Sequence, residues 1–123
     1  MTSVNALVAS GNSGTATRLS TSLSQHFRSV ALASSGQEAR DAIPRRRIQF
    51  VVVDLETIGI SDVQRLCEDF SAASIVCTHR LADEVMWVRA LEAGAIDCCH
   101  DGDIQGILQA ASRNLVLARS SAA

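Results

Sequence analysis

Net charge and basic clusters are almost absent from this sequence. Its 123 residues carry a formal net charge of −2, and the only basic cluster is Arg45-Arg46-Arg47. A nearly neutral chain gives no electrostatic reason to bind nucleic acid or an anionic membrane, and three adjacent arginines more often form a solvated turn. This length suits one domain with one hydrophobic core. We therefore expect neither nucleic-acid nor membrane partners.

Long apolar segments are also missing. No apolar run approaches the ~20 residues that a membrane-spanning helix needs. Residues 1–20 lack a basic start followed by a continuous apolar core, so the sequence predicts no signal peptide. We expect a cytoplasmic protein.

The cysteines follow none of the spacings that metal sites use. They are Cys67, Cys77, Cys98 and Cys99. None forms a Cys-x-x-Cys pair, and the adjacent last two are poorly spaced for zinc. Cysteines within apolar strands behave as small hydrophobic residues, so we predict reduced, buried thiols in a cytosolic protein, with no metal and no cofactor.

What the sequence does contain is a set of short apolar strands, of which Phe50–Asp54 is the clearest. Three consecutive valines follow an aromatic residue, a composition typical of strands. A strand without polar alternation is buried on both faces, as the central strands of parallel sheets are. In open α/β sheets the functional site lies just beyond the carboxyl ends of the strands. Asp54, at the end of this strand, is therefore the first candidate for a functional residue.

Five such strands alternate with five helical segments. The predicted strands are residues 4–9, 30–33, 50–54, 74–78 and 96–100. Helices are predicted from about residue 15, from capping boxes at Ser35 with Glu38 and at Ser61 with Gln64, over residues 81–92, and from Asp103. Short strands separated by helices require right-handed crossovers, so we predict a doubly wound α/β fold with a parallel sheet of order 2-1-3-4-5. Residues 1–119 would form this domain, and residues 120–123 a frayed tail or the start of a linker.

Three features of the sequence carry a family resemblance. Asp54 ends strand three, Thr78 ends strand four, and the run RALEAGAID occupies residues 89–97. Together they resemble the receiver domain of bacterial two-component response regulators. In that family the first position is the phosphate-accepting aspartate, the second is the conserved hydroxyl, and the run joins helix four to strand five. The resemblance implies a non-enzymatic module of a phosphorelay.

Several positions depart from the receiver pattern, among them Thr57-Ile58 where the family has Met-Pro and Gly102 where it has proline. Where the family has two acidic magnesium ligands after strand one, this sequence has Ser10 and Gly11. Asp101 replaces the lysine that normally ends strand five, Cys98 replaces the aromatic switch residue, and bulky His79 replaces the small residue after the conserved hydroxyl. These departures resemble those of the atypical, or pseudo-receiver, branch.

The departures remove the charges that phosphoryl transfer needs. Transfer to a carboxylate depends on neutralisation by a metal ion and a cation, and magnesium prefers sites with one or two carboxylates. Asp54 alone is a weak metal site, and we expect Asp101 to lie close enough to repel it. We therefore predict a module that acts by protein–protein contact without phosphorylation. A receiver with slow residual phosphorylation of Asp54 is the alternative.

Two further alternatives concern the loops that follow the strands. Residues 10–15 form a glycine-containing loop before a helix, which could bind a phosphate or a flavin in a flavodoxin-like protein. The spacing of its glycines matches neither a P-loop nor a dinucleotide-binding fingerprint. A flavin would also need an aromatic side chain to stack on, and the only tryptophan lies far away in the sequence. His79 and His100 could share a metal ion with the two aspartates, although no tight ligand spacing supports this.

Helix four carries more apolar residues than one buried face can use. The predicted buried face consists of Leu81, Val85 and Val88. A rotation of about 100° per residue then places Trp87 on the helix flank and Met86 almost opposite the core. Trp, Met and Arg are enriched at interfaces, and Arg89 is close by. The resemblance implies a partner surface on helix four, strand five and helix five, so we predict a signalling partner or output domain, and a homodimer through this face.

Overall fold

The computed structural model describes the backbone of residues 3–122 and the side chains of residues 3–114. Five strands and five helices alternate along this part of the chain. The strands are β1 (Asn5–Ala9), β2 (Ser29–Ala33), β3 (Phe50–Asp54), β4 (Ser74–His79) and β5 (Asp97–His100). The helices are α1 (Ser13–Leu23), α2 (Gly36–Arg45), α3 (Ile60–Asp69), α4 (Glu84–Glu92) and α5 (Ile104–Ala122). None of the described helices is long and apolar enough to cross a membrane.

All five strands form one parallel sheet in the order β2-β1-β3-β4-β5, so the predicted fold class and strand order are confirmed. β3 lies at the centre and every one of its residues is buried, as expected for an apolar run without alternation. The strand order places β2 and β5 at the two edges of the sheet. The carboxyl ends of β1, β3, β4 and β5 meet at one rim.

The two faces of the sheet carry separate apolar layers, because successive residues of a strand point to opposite faces. One face packs against α2, α3 and α4, and its buried residues include Leu7, Val51, Val53, Ile75, Ile43, Val63, Leu66 and Ala90. The other face packs against α1 and α5, and its buried residues include Val8, Val52, Val76, Leu19, Leu23 and Ile107. These two layers cover the central strands, and the polar residues that end or follow those strands, Ser10, Asp54 and Thr78, are buried at the rim.

The predicted helix starts are partly confirmed. Ser35 Oγ accepts the Glu38 N–H at 3.1 Å, but the Glu38 carboxylate turns back to the N–H and hydroxyl of Ser34, at 2.7 and 2.8 Å. The Ser34 backbone hydrogen bond lowers the pKa of the Glu38 carboxyl. Asp103 caps α5 as predicted, with its Oδ1 accepting the N–H of Gly106 at 2.9 Å.

The capping box predicted at Ser61 with Gln64 is wrong. Gly59 precedes the first residue of α3 and supplies no side-chain cap, while Gln64 Nε2 donates to Glu68 on the same helix instead. The reason is the tight turn after β3, in which Ile58 N donates to the Asp54 carbonyl at 2.9 Å. That turn starts the helix before Ser61 reaches a capping position.

The predicted orientation of α4 is also wrong. Leu81, Val85 and Val88 are 66%, 65% and 40% exposed. The inward side consists of Met86, Ala90 and Ala93, spaced i, i+4 and i+7, with Met86 partly buried against the core. Asp83 caps the helix through its Oδ1 and the Met86 N–H, at 2.9 Å, and two small alanines allow the helix to approach the sheet closely. Packing by small residues, rather than by large branched ones, therefore sets the rotation of α4.

Apolar residues spaced for one helical face form a stripe along α5, and the stripe is buried where side chains are described. Ile107, Leu108 and Ala111 are buried and Ile104 is partly buried, while the side chain of Leu115 lies outside the described residues. The backbone of α5 continues to Ala122, and residue 123 lies outside the described part of the chain. The domain boundary at residue 119 stays a prediction.

Candidate functional site

Strand register brings the predicted site residues together at the rim. Asp54 of β3 pairs in register with Thr78 of β4, and His79 pairs with His100 of β5. Ser10 follows β1, which lies on the other side of β3. Because the ends of parallel strands lie side by side, the candidate residues from four strands meet at one edge.

Asp54 is 2% exposed, and both of its carboxylate oxygens accept hydrogen bonds from neutral groups. Its Oδ2 accepts from Ser10 Oγ at 2.8 Å and from Thr57 Oγ1 at 3.1 Å. Its Oδ1 accepts from the backbone N–H of Glu56 at 3.0 Å. A buried charge is costly unless hydrogen bonds replace its water, and these three donors supply that replacement. The carboxylate is therefore stabilised by the chain's own hydroxyl and backbone groups.

Ser10 occupies the position where the receiver pattern has a magnesium-binding acid. It is 2% exposed, and its hydroxyl both donates to Asp54 and accepts the N–H of Asn12 at 3.1 Å. A serine hydroxyl is a shorter and uncharged group, so it brings no second carboxylate to the rim. Ser10 instead connects the loop after β1 to the acid at the end of β3.

Thr57, which the sequence analysis names only as a departure from the family pattern, is a residue of the site. Besides donating to Asp54, its hydroxyl accepts the backbone N–H of Gly11 at 2.8 Å. One side chain therefore joins the loop after β3 to the loop after β1. The sequence feature that could have indicated this role is a threonine three residues after an aspartate in a turn. Short hydroxyl side chains at such positions form hydrogen bonds with nearby polar groups.

Thr78 is fully buried, and its Oγ1 has no hydrogen-bond partner among the described residues. An unpaired buried hydroxyl is uncommon and costs stability, so such a group deserves a physical explanation. Its register with Asp54 places it beside the one buried acid of the rim. Among the described residues, Thr78 Oγ1 is the only buried side-chain nitrogen or oxygen without a hydrogen-bond partner.

Asp101 lies just beyond β5 and pairs with a cation that the sequence analysis also missed. Arg18 of α1 places Nη2 3.4 Å from Asp101 Oδ2, and its Nη1 donates to the Asp101 carbonyl at 3.0 Å. The expected repulsion of Asp54 is therefore offset by a neighbouring positive charge. The missing lysine is replaced by an arginine that neutralises Asp101 rather than Asp54.

The two rim histidines use Nδ1 in the same way. His79 Nδ1 accepts the Leu81 N–H at 2.9 Å, and His100 Nδ1 accepts the Gly102 N–H at 3.0 Å. A neutral ring that accepts at Nδ1 carries its proton on Nε2, so neither nitrogen is free to bind a metal. His100 Nδ1 also lies 3.4 Å from Asp101 Oδ1, but a nitrogen that accepts cannot donate to that carboxylate. Among the described residues no three His, Cys, Asp or Glu side chains are grouped to hold a metal ion.

The loop predicted as a possible phosphate or flavin site is partly occupied by its own side chains. Asn12 Oδ1 accepts the N–H of Thr15 at 3.0 Å, which removes a donor that an anion would use. A cavity of about 230 Å³ beside the loop is lined by Ser10, Leu32 and the acidic Glu38. A carboxylate in the lining opposes a phosphate, and the lining includes no aromatic ring on which a flavin could stack.

Comparison with known proteins finds matches among solved structures. No protein-family model and no curated protein matches the sequence. A LuxR-family two-component response regulator from Aurantimonas superposes with a TM-score of 0.81 at 19% identity, covering 93% of this chain and 86% of that one. The signal receiver domain of a DNA-binding response regulator from Colwellia psychrerythraea superposes with a TM-score of 0.77 at 16% identity, over 92% and 98% of the two chains. The fold is that of a receiver domain.

A third similar structure is a response regulator from Burkholderia pseudomallei with a phosphorylated aspartic acid, a calcium ion and citrate. It is 25% identical, with a TM-score of 0.77 over 98% of this chain and 73% of that one. The predicted resemblance to receiver domains is therefore confirmed for the fold. Assignment to the pseudo-receiver branch is a separate question, which depends on the residues of the site.

Cys98, which the resemblance places at the switch position of receivers, is buried and pairs in register with Cys77. Burial raises the pKa of the thiols of Cys77 and Cys98, and that of Cys99 to about 12. These thiols stay protonated near neutral pH, so they behave as small apolar groups and not as nucleophiles or metal ligands. Burial of the cysteines is confirmed for these three, while Cys67 is only partly buried.

The predicted interface residues of the receiver fold divide between core and surface. Met86 faces the core, whereas Trp87 is 45% exposed and Arg89 is exposed. Trp87 Nε1 donates to Asp97 Oδ1 at 3.1 Å, and Asp97 Oδ2 lies 3.8 Å from Arg113 Nη2 of α5. We call the exposed apolar residues Leu81, Val85, Trp87 and Val88 the α4 surface. Its Trp87 lies beside β5, and the surface also contains the three apolar residues that the sequence analysis assigned to the buried face of the helix.

Proposed function

We propose that this receiver-fold domain is a signal-transduction module of the pseudo-receiver type, acting in the bacterial cytoplasm by protein–protein contact without catalytic activity of its own. The observation that carries the proposal is the 2.8 Å hydrogen bond from Ser10 Oγ to Asp54 Oδ2, made by an acid that is 2% exposed. The phosphoacceptor position is closed by the residue that stands in place of a metal ligand.

Phosphorylation at Asp54 would have to break this arrangement. The incoming group would displace the hydroxyls of Ser10 and Thr57 from the carboxylate, and it would arrive without a second acid to hold magnesium. Two arginines at this end of the sheet are already paired with other acids, Arg18 with Asp101 and Arg80 with Glu56. Each of these features raises the cost of placing phosphoryl charge at the rim.

One observation supports the alternative of slow residual phosphorylation. The buried Thr78 hydroxyl has no partner among the described residues and lies in register with Asp54. A phosphoryl oxygen on Asp54 would give this hydroxyl an acceptor. We rank this alternative second, because a single hydroxyl does not replace two charges.

Phosphodonor treatment separates the two possibilities. The protein is incubated with acetyl phosphate and magnesium and weighed intact by mass spectrometry, with Asp54→Asn as the control. We expect no stoichiometric adduct on the wild type. The combined variant Ser10→Asp, Gly11→Asp and Asp101→Lys restores the charges and should accept one phosphoryl group. A stoichiometric adduct on the wild type that Asp54→Asn lacks would refute the pseudo-receiver proposal.

The α4 surface, with β5 and α5, is the partner surface that we propose. It supports a homodimer with Trp87 near its centre, or contact with a signalling partner or output domain, because large exposed apolar groups mark contact surfaces. Arg89 is exposed on the same helix, but it lines a pocket with Ile60 and Gln64 of α3, so it is left out of the proposed contact around Trp87. Met86 is left out of the proposed surface, since it packs inward.

Sedimentation velocity tests the homodimer. Trp87→Ala should lower the weight-average mass at a fixed concentration and weaken association by about tenfold or more, as expected for a central aromatic residue. Ile60→Ala is the matched control, because Ile60 is 36% exposed but lies on α3. Equal association of wild type and Trp87→Ala would exclude Trp87 from the interface.

A further inference from the structure

The β2 edge of the sheet is open and carries no charged residue. Its five residues are Ser-Val-Ala-Leu-Ala, and β2 pairs only with β1. Leu32 is 54% exposed, although it lies in a strand. Proteins usually protect edge strands with charges, proline, bulges or a covering element, because a free edge can pair with another chain.

The opposite edge shows such protection. β5 is shorter, at four residues, and it begins with the charged Asp97. The indole of Trp87 is hydrogen-bonded to that carboxylate and lies beside the strand. The two edge strands of the sheet therefore differ in their protection against pairing with another chain. Of the two, only β2 combines an apolar sequence with an unpaired side.

The free polar groups of β2 belong to Val30 and Leu32. The Ala33 carbonyl accepts the N–H of Ser10 at 2.9 Å, so Ala33 turns its polar groups toward β1. The next N–H, that of Ser34, points the other way and is taken by Glu38 at 2.7 Å. Since backbone groups alternate along a strand, Val30 and Leu32 present their N–H and C=O groups outward, where they can accept another strand.

We propose that the β2 edge binds the β2 edge of a second copy of this chain, antiparallel, around a two-fold axis at Ala31. This register places Val30 opposite Leu32 of the second copy, and Leu32 opposite its Val30. The outward groups of these residues then form four backbone hydrogen bonds, and the apolar side chains form two cross-strand pairs. The small Ala31 lies on the axis, where two copies approach most closely.

Charged residues near the two ends of β2 support pairing with a second copy of the chain in this antiparallel register. Arg28 precedes the strand, is exposed, and has no carboxylate partner among the described residues. In the antiparallel register Arg28 lies opposite Ser34 of the second copy. The Ser34 N–H and hydroxyl hold the Glu38 carboxylate at 2.7 and 2.8 Å. Each unpaired arginine therefore meets an acid on the other copy, and the two-fold axis makes this contact twice.

This contact is independent of the α4 surface, which lies beside the other edge of the sheet. Either interface can form when the other is removed. The test therefore uses Trp87→Ala as the background, so that association through the α4 surface is weakened. In that background we expect a concentration-dependent dimer in sedimentation velocity.

Matched lysine substitutions then locate the dimer contact. Leu32→Lys adds a charge opposite an apolar residue of the second copy, and it should raise the dimer dissociation constant about tenfold or more. Ile60→Lys also replaces an exposed aliphatic residue by lysine, but on α3, outside both β2 and the α4 surface, and it should leave the constant unchanged. Arg28→Glu should weaken the dimer severalfold, and added salt should reduce that effect.

Hydrogen exchange gives a readout that is specific for strand pairing. With rising protein concentration, exchange of the Val30 and Leu32 amides should slow, whereas the Ala31 and Ala33 amides are already protected by β1. The proposal is overturned if the Trp87→Ala protein stays monomeric up to millimolar concentration, or if Leu32→Lys and Ile60→Lys weaken its dimer equally. Concentration-independent exchange at Val30 and Leu32 in a dimer would also overturn it.

Discussion

Asp54 and Asp101 are two acids at the same rim of the sheet, and the chain stabilises them by different means. Asp54 is 2% exposed and receives neutral hydrogen bonds from Ser10, Thr57 and a backbone N–H. The Asp101 side chain is 15% exposed, and the cation that serves it, Arg18, is 47% exposed. A deeply buried acid needs short groups placed by the loops around it. A partly exposed one can be neutralised by a long side chain from another helix.

The difference bears on signalling because the two arrangements respond differently to change. The neutral network joins two loops through short, directed bonds, so it holds the rim in one geometry. The Arg18–Asp101 pair is open to water and salt, so it can dissociate at low cost. The proposed function rests on the first arrangement, and removing single donors measures how strongly it is held.

The largest effect is expected for Ser10→Ala. This change removes a hydrogen bond to a buried carboxylate, which should lower the free energy of unfolding by about 2 kcal/mol. Urea unfolding measures it, with Ser13→Ala on the exposed start of α1 as the control. A loss equal to that of the control would show that the Ser10–Asp54 bond contributes nothing net.

A smaller effect is expected for Thr57→Val. The substitution keeps the shape but removes the donor to Asp54 and the acceptor of the Gly11 N–H, and it should cost about 1 kcal/mol because Thr57 is exposed. Exchange of the Gly11 amide should accelerate in the same variant. Thr57→Ser retains the hydroxyl and should restore both the stability and the Gly11 protection. Failure of that rescue would contradict a hydrogen-bonding role.

The smallest effect is expected for Arg18→Ala. An exposed ion pair contributes little, so the free energy of unfolding should fall by less than about 1 kcal/mol. The loss should shrink further in high salt, unlike that of Ser10→Ala. Unfolding of both variants at low and high salt makes the contrast direct. A large, salt-insensitive loss in Arg18→Ala would remove the distinction between the two acids.

Local pattern was sufficient to predict the fold class, the strand order and the position of Asp54. The apolar run of β3 can be stable only when covered on both faces, and alternating strands and helices leave few ways to arrange that cover. The register between Asp54 and Thr78 then follows from the sheet itself. These predictions depend on the spacing of apolar residues, which can be read directly from the sequence.

The partners of the site were not predictable in the same way. Thr57 and Arg18 act through contacts that depend on loop geometry and on how α1 packs against α5, near the loop that follows β5, and no periodic pattern encodes either. The rotation of α4 was missed because two small alanines pack inward while larger residues face water. Hydrophobicity favours the opposite orientation, and close packing decided the outcome.

The position of Trp87 determines what the intrinsic fluorescence of the protein can report. The chain has no tyrosine and this one tryptophan, so near-ultraviolet absorption and emission come almost entirely from one ring, held beside β5 by Asp97. The intrinsic fluorescence of the protein therefore reports on one side of the molecule and not on its core. A ligand that covers α4 will change the emission, whereas pairing of β2 edges at the far side of the sheet will leave it unchanged. The protein thus carries a built-in probe that distinguishes its two proposed contacts without a label.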